Sequence, residues 1–563
     1  MNRIRINILL LLLCIFLPGV AQNVSDAWNK NWSAYDELSD NIPLDETLAM
    51  KELDHIVRLK KSGVQVDYYM MDAFWFDVNE GYRKWRPDCW PEGPKRWLDA
   101  CKREGIKPGL WFSTNLLRID GEVNTMKIIP EWESSVAEDG TTLCLFRGGY
   151  LHHLMQTLQM YADMGIKMFK FDFAYFDAAT PDAKCTMLPA DIEEQNKNAF
   201  ISAIKEFRYK NPDVLFIGYN GFGGDMENTV TPFRKTVDLM NFWRSQDLYS
   251  DHMTFQYLFN GVPVQRIDNC AFMIGTTGTC YNRALNAWKG MMILTMARGG
   301  WLNVCHGNID LLSDDDARWM AKTQQLYMKV QQYGNISAYG AIPGKALPYG
   351  YMASAEGGNL YTVVNASQEK VKVTLPEATG TGRVLFTDSG FMPVLEKNIV
   401  ELWQEQMVVV GYGKFSTREY DLGIEKDIVI PVTIQKVKID VQKKNEHTLQ
   451  AHYIPSKGKT VRILFQQLDE RGKAFRSWGG APPTGIKMDH FFDIEIKQGK
   501  RSIPIKKSHD KMIWCGLSWA VGEVSADDIK EGRPLEISCT TIDGNSEHCL
   551  LEVYEVEYSA DKK

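Results

Sequence analysis

From about residue 60 to residue 330 the chain alternates between short apolar runs and longer amphipathic stretches. "VDYYMMDAFW" precedes "PKRWLDACKREG", and "IKPGLWFST" follows. "TTLCLFRGG" precedes "YLHHLMQTLQMYADMG", and "IKMFKFDF" precedes "DIEEQNKNAFISAIKEFRYKN". "DVLFIGYNG", "VDLMNFWRSQD", "NCAFMIGTTG" with "ALNAWKGMMILTMARGG", and "WLNVCHG" with "SDDDARWMAKTQQLYMKVQQYG" complete eight units. The runs have the length of strands and the stretches the period of helices. Repeated strand–helix units lay their strands side by side in parallel, and eight of them close into a (β/α)₈ TIM barrel. A doubly wound open sheet is the alternative. It loses support because no Gly-x-Gly-x-x-Gly follows the first strand and no Gly-Lys-Ser/Thr loop occurs.

After about residue 340 the pattern changes to short alternating strands with Gly, Asn and Asp turns, as in "GNLYTVVNAS", "EKVKVTL" and "QMVVVGYG". A second such run starts near Asp427. The expected organisation is a catalytic α/β barrel over 22–335, an antiparallel β-sandwich over 336–425 and a second β-sandwich over 426–563. Residues 1–21 read as a signal peptide: two arginines, an apolar run from Ile8 to Leu17, then Pro18, Gly19 and Ala21. That run is too short to span a bilayer, and no other segment is apolar enough. The expected location is therefore exported, periplasmic or extracellular. An exported context permits disulfides. Ten cysteines remain after the cut, with Cys270 and Cys280 as one possible loop bridge and free buried thiols as the other reading. The net charge of −7 provides no basic face, so nucleic acid is not an expected partner.

In a barrel of this kind the chemistry lies at the C-terminal ends of the strands. The polar and aromatic residues there are Asp72 and Trp75, then Trp111, Ser113 and Asn115, then Arg147, then Lys170 and Asp172. They continue with Tyr219 and Asn220, with Trp243, Arg244 and Asp247, and with His306, Asn308 and Asp310. The set lacks a nucleophilic serine elbow and any HExxH or HxH pair, so no metal and no cofactor is expected. Asp314, Asp315 and Asp316 fit a capping box led by Ser313 better than a metal cluster. Paired carboxylates among aromatics and cations are what glycosidic cleavage requires. Each also has a plainer reading. Asp172 with Lys170 fits a structural ion pair, Asp247 fits a helix cap, Asp72 fits a loop cap, and Trp75 and Trp111 fit core packing.

Residues 62 to about 330 resemble the retaining α-galactosidase clan, glycoside hydrolase families 27 and 36. "KFDF" resembles the clan's strand-4 Lys-x-Asp motif, and "FWRSQD" resembles its strand-6 motif. "MDAFWF" resembles the strand-1 Asp-Asp-Gly-Trp type, and "GIKPGLWFS" the strand-2 Gly-Leu-Trp type. The resemblance implies Asp172 as nucleophile, Lys170 on the sugar and Asp247 as general acid/base. Departures bear on the substrate. Ala73 stands where the clan often has a second aspartate for the 4- and 6-hydroxyls, and "GYNGFGG" lacks the clan's usual cysteine.

The implied activity is that of an exo-acting, retaining α-glycosidase of α-galactosidase type, acting by double displacement on an oligosaccharide or polysaccharide. Asp72, Trp75, Trp111, Arg147, Lys170, Tyr219, Asn220, Trp243 and Arg244 are the expected substrate-binding residues. Lys170, on the same strand face as Asp172, is expected to hold that carboxylate ionised. The alternatives on the same scaffold are an α-N-acetylgalactosaminidase, a β-L-arabinopyranosidase or a transglycosylase. A non-catalytic sugar-binding protein is the rival from another class.

Overall fold

A computed structural model of the protein describes residues 45–73, 75–117, 125–218, 221–222, 312–331, 335–341, 347–389, 391–404, 406–424, 431–468, 470, 492–507, 519–541 and 545–558. It also describes the elements at 26–29, 239–241, 267–268, 272–274, 288–297 and 303–307. A parallel sheet occupies the first part of the chain. Its strands are β1 (Asp26–Asn29), β2 (Tyr68–Met71), β3 (Lys107–Ser113), β4 (Met168–Asp172), β5 (Leu215–Gly218), β6 (Leu239–Asn241), β7 (Ile267–Asp268), β8 (Phe272–Ile274) and β9 (Asn303–Gly307). They pair in the order β7-β6-β5-β4-β3-β2-β1-β9-β8. The order follows the chain around, and its two ends, β7 and β8, are separated in sequence only by residues 269–271.

Two expectations are corrected here. The run at 141–149 is not a strand of this sheet, because β4 pairs directly with β3, Ser113 opposite Asp172. That run forms isolated bridges instead, Thr142 with Leu116 and Leu143 with Val136. Its apolar residues Leu143, Cys144 and Leu145 are buried beneath a loop that ends at Gly148 and Gly149, both at positive φ. The second correction is β1, which lies ahead of the residues read as the first strand. It pairs with both β2 and β9, so that Ala27 lies between Tyr68 and Val304.

The helices are α1 (Glu46–Lys61), α2 (Lys95–Arg103), α3 (Tyr150–Asp163), α4 (Pro181–Thr186), α5 (Pro189–Lys210), α6 (Trp288–Ala297) and α7 (Asp314–Gln331). Their starts are written in side chains. Asp45 Oδ1 accepts the Leu48 N–H at 2.7 Å ahead of α1. The capping box of α7 is present: Asp316 Oδ2 accepts the Ser313 N–H at 3.0 Å, and Ser313 Oγ accepts the Asp316 N–H at 3.1 Å. Strand β4 shows why the sheet positions a site. Phe169 and Phe171 pack outward on Phe207, Phe200 and Phe216, the last lying nearly parallel to Phe171 at 5.8 Å. Period-two alternation then sends Lys170 and Asp172 to the opposite face.

Two pairs of sheets follow. Residues 335–340, 349–355, 358–364, 407–412, 382–387 and 423–424 form one sheet, and 371–374, 399–402 and 394–396 another. Val363, Val408 and Val410 of the first share a core with Val400 and Leu402 of the second. In the last part of the chain, Ile463, Phe465 and Val553 of one five-stranded sheet share a core with Ile494, Ile496 and Ile537 of its neighbour. Trp319 of α7 joins the parallel region to the middle sheets, donating to the Leu422 carbonyl at 2.7 Å. No helix among the described residues is long and apolar enough to cross a membrane.

Candidate active site

The C-terminal ends of β2, β3 and β4 bring Asp72, Trp111, Lys170 and Asp172 together. Asp72 follows β2 and is 1% exposed. Its Oδ1 accepts the Ala73 N–H at 2.8 Å, and its Oδ2 accepts Lys170 Nζ at 2.6 Å. Lys170 is equally buried. Burying an unpaired charge costs several kcal/mol, which their mutual contact offsets in part. Lys170, on the same strand face as Asp172, reaches across β3 to pair with Asp72 at the end of β2.

Asp172 is buried as well, at the last position of β4. Its Oδ2 accepts the Trp111 Nε1–H at 3.3 Å, and its Oδ1 accepts the Phe173 main-chain N–H at 2.9 Å. Each carboxylate oxygen therefore receives a donor, which favours the ionised form and fixes the plane of the group. Phe173 reaches this position by adopting φ 47°. A left-handed backbone at a bulky residue costs of order 1–3 kcal/mol and needs support from its surroundings. Here the Trp111 ring supports it, edge-to-face with Phe173 at 6.1 Å. Trp111 itself lies parallel to Phe76 at 6.3 Å, and its carbonyl accepts the Trp75 Nε1–H at 2.9 Å.

A second set of contacts braces β3. The Ser113 N–H donates to the Tyr82 hydroxyl at 3.1 Å, and the Tyr161 hydroxyl donates to the Tyr82 carbonyl at 2.8 Å. Burial pushes the Tyr82 phenol well above its ordinary value, so it stays neutral. His153, also buried, bridges Glu131 Oε2 at 2.7 Å and the Gly81 carbonyl at 2.8 Å. It is a packing residue that anchors the turn carrying Tyr82.

The other expected site residues fare differently. Trp75 is wholly buried among Phe76, Tyr82, Trp85, Phe112 and Tyr161, with its indole N–H used internally. It is core, not a sugar platform. Arg147 does not join the carboxylates: it pairs with Asp182, lies 3.7 Å from Met187 Sδ and stacks on Phe146. It left the site because its run is a loop on the helix side, not a strand. Tyr219, Asn220, Trp243, Arg244 and Asp247 lie outside the described residues. So does the proposed bridge Cys270–Cys280, whereas Cys89, Cys101, Cys144, Cys185, Cys539 and Cys549 are free. Sequence reasoning missed the main-chain N–H groups of Ala73 and Phe173, which carry no side-chain signal. It also missed Tyr82, for which only the preceding Gly81 marks a turn. Among the described residues no cluster of His, Cys, Asp and Glu has the make-up of a metal site.

No family model matches the sequence, and no curated protein matches it. Solved structures do. The galactosidase domain of an α-galactosidase–sucrose kinase is 14% identical, with a TM-score of 0.50, over 69% of this chain and 54% of that one. An α-galactosidase from Lactobacillus brevis is 12% identical, with a TM-score of 0.49, over 70% of this chain and 56% of that one. The trehalulose synthase MutB is 13% identical, with a TM-score of 0.48, over 69% of this chain and 99% of that one. This chain spans about half the length of the α-galactosidase structures that it matches. The likeness is one of fold, over about two thirds of this chain.

Proposed function

We propose that the protein is an exported, exo-acting, retaining α-glycosidase of α-galactosidase type, built on a closed (β/α)₈ barrel. The observation that carries this reading is the Asp172 carboxylate. It is buried at a strand end and held in one orientation by an N–H on each oxygen. A structural ion pair needs no main-chain N–H and indole N–H on the two oxygens of one carboxylate.

In this reading an Asp172 oxygen attacks the anomeric carbon as the bond to the leaving oxygen breaks. Asp247 gives its proton to that oxygen. Water then attacks the anomeric carbon, Asp247 takes the water's proton, and the ester to Asp172 is released. Retention places the two carboxylates about 5–5.5 Å apart. The Asp72–Lys170 pair serves as donor and acceptor for sugar hydroxyls beside the reacting carbon, and Trp243, Arg244, Tyr219 and Asn220 complete the ring's surroundings. Asp172→Ala is expected to lower kcat by several orders of magnitude with the melting temperature retained. An activated fluoro-sugar should label Asp172 in a peptide map. Labelling at Asp177 instead overturns the assignment.

A further inference from the structure

The end of β3 is held by side chains where a strand would ordinarily hold it. β2 runs beside β3 only as far as Met71, opposite Leu110. Beyond that point three rings take the place of a neighbouring strand. The Trp75 indole donates to the Trp111 carbonyl at 2.9 Å, the Ser113 N–H donates to the Tyr82 hydroxyl at 3.1 Å, and the Tyr150 hydroxyl donates to the Ser113 carbonyl at 3.4 Å. On its other edge β3 stays on β4: Ser113 lies opposite Asp172, and the Thr114 N–H donates to the Asp172 carbonyl at 2.6 Å. The placement of the Trp111 indole against the Asp172 carboxylate therefore depends on these rings.

Tyr82 stands on a strained support. Gly81 has φ 55° and Tyr82 φ 72°. A bulky residue rarely adopts that backbone and needs its surroundings to keep it there. Two contacts do so: the Tyr161 hydroxyl on the Tyr82 carbonyl, and His153 Nε2 on the Gly81 carbonyl at 2.8 Å. The ring lies so close that a Cβ on residue 81 would stand 2.7 Å from Nε2.

Both nitrogens of the buried His153 ring face acceptors. Nε2 meets the Gly81 carbonyl, and Nδ1 meets Glu131 Oε2 at 2.7 Å. Glu131 is exposed, and His153 together with Arg83 holds its carboxyl below the usual range, so it too only accepts. Each ring nitrogen therefore carries a hydrogen, which makes the ring an imidazolium. A neutral ring has one N–H and one lone pair, and would set that lone pair against an acceptor oxygen. The other ionisable groups around it do not replace Glu131. Arg83 shares that carboxylate at 2.9 Å, Glu80 pairs with Lys84, and His152 turns to Gln156. Burial keeps the Tyr82 and Tyr150 phenols neutral.

We propose that His153 is a positioning residue of the active site: as an imidazolium it clamps the Gly81–Tyr82 turn and through it holds the end of β3 against Asp172, a hold that weakens as pH rises. This inference rests on the reading of Asp172 as nucleophile and goes further by naming what keeps its indole donor in place.

The test follows the rate at which an activated fluoro-sugar labels Asp172 across pH, since an activated leaving group departs without a proton from Asp247. The wild-type rate should fall about ten- to a hundredfold as His153 loses its proton, as a small misplacement of a reacting group allows. In Glu131→Gln the amide can donate to the lone pair of a neutral ring whose Nε2–H stays on Gly81. The clamp then survives deprotonation, and the alkaline fall should disappear. A fall of the same size in Glu131→Gln overturns the proposal. His153→Leu should label slowly at every pH, and labelling at the wild-type acid-side rate overturns it as well. If no label reaches Asp172 in the wild type, the α-glycosidase reading fails, and hydrogen exchange decides the clamp by itself. Amide protection over residues 111–115 should match that of Glu131→Gln at acidic pH and drop below it at alkaline pH. Equal protection at both overturns the clamp.

Discussion

Two ion pairs built on a buried cation look alike as contacts and differ in what surrounds them. Arg462, in the last pair of sheets, places Nε 2.6 Å from Glu523, Nη1 2.7 Å from Gln368 and Nη2 3.0 Å from the Tyr558 hydroxyl. The fork of the guanidinium is spread over three side chains, one of them belonging to the middle sheets. It ties two parts of the chain together. Lys170 and Asp72 form their pair at the C-terminal ends of adjoining parallel strands, one residue pair away from a second carboxylate on a left-handed turn. Buried charge alone therefore does not mark a site. Position at the strand ends, together with a strained backbone that aims a donor at a carboxylate, separates the second pair from the first.

Removing one partner of each pair tests the distinction most strongly. Lys170→Met and Arg462→Met should both lower the melting temperature, Lys170→Met by more, because it leaves the buried Asp72 carboxylate uncompensated at a cost of about 3–5 kcal/mol, whereas Glu523 is half-buried and keeps the Tyr558 hydroxyl. Only Lys170→Met should also lower kcat/KM, by about 10²–10³-fold. Equal losses of turnover in the two variants would erase the distinction.

Trp111→Phe sharpens it. The ring remains against Phe76 and Phe173, but Asp172 loses one donor. A hydrogen bond to a charged group is worth about 1.5–3 kcal/mol, so kcat should fall about ten- to a hundredfold. The lost donor had favoured the ionised carboxylate. The acidic limb of the pH–kcat/KM profile should therefore move to higher pH. A lower melting temperature with an unmoved limb would make Trp111 a packing residue only.

The smallest expected effect is at Ala73. Its N–H already holds Asp72, and its side chain is 6% exposed. Ala73→Asp should raise the preference for an unsubstituted α-galactoside by about tenfold, as one added hydroxyl contact allows. Competition between p-nitrophenyl α-galactoside and the α-N-acetylgalactosaminide measures this. No gain would show that the second aspartate is not what sets the preference.

Period-two alternation made Lys170 and Asp172 legible in the sequence, since it survives wherever one strand face is packed. The same logic failed at Trp75 and Arg147. Trp75 lies just past a strand, where alternation no longer dictates direction, and a ring of aromatics draws it inward. Arg147 ends an apolar run that reads as a strand, yet two glycines at positive φ turn it into a buried loop. β1 has only the residues Asp26, Ala27, Trp28 and Asn29, with no apolar run to announce it. It is a strand because β2 and β9 each offer it a pairing edge, a fact absent from any local window. The side chains that hold the end of β3 were equally unreadable, since their partners are main-chain groups distant in sequence.

β1 also has a kinetic meaning. Ala27 pairs with Val304, at the far end of the parallel region, so one short element closes a loop that spans nearly all of that region. Closing so long a loop is entropically costly and brings few local contacts in return. A ribosome or a translocation channel that releases the chain N-terminus first leaves the outer edge of β1 bare until Asn303–Gly307 emerges. In that interval the unpaired edge is open to any other extended chain. The most vulnerable moment for this protein is the wait before its first strand meets its last.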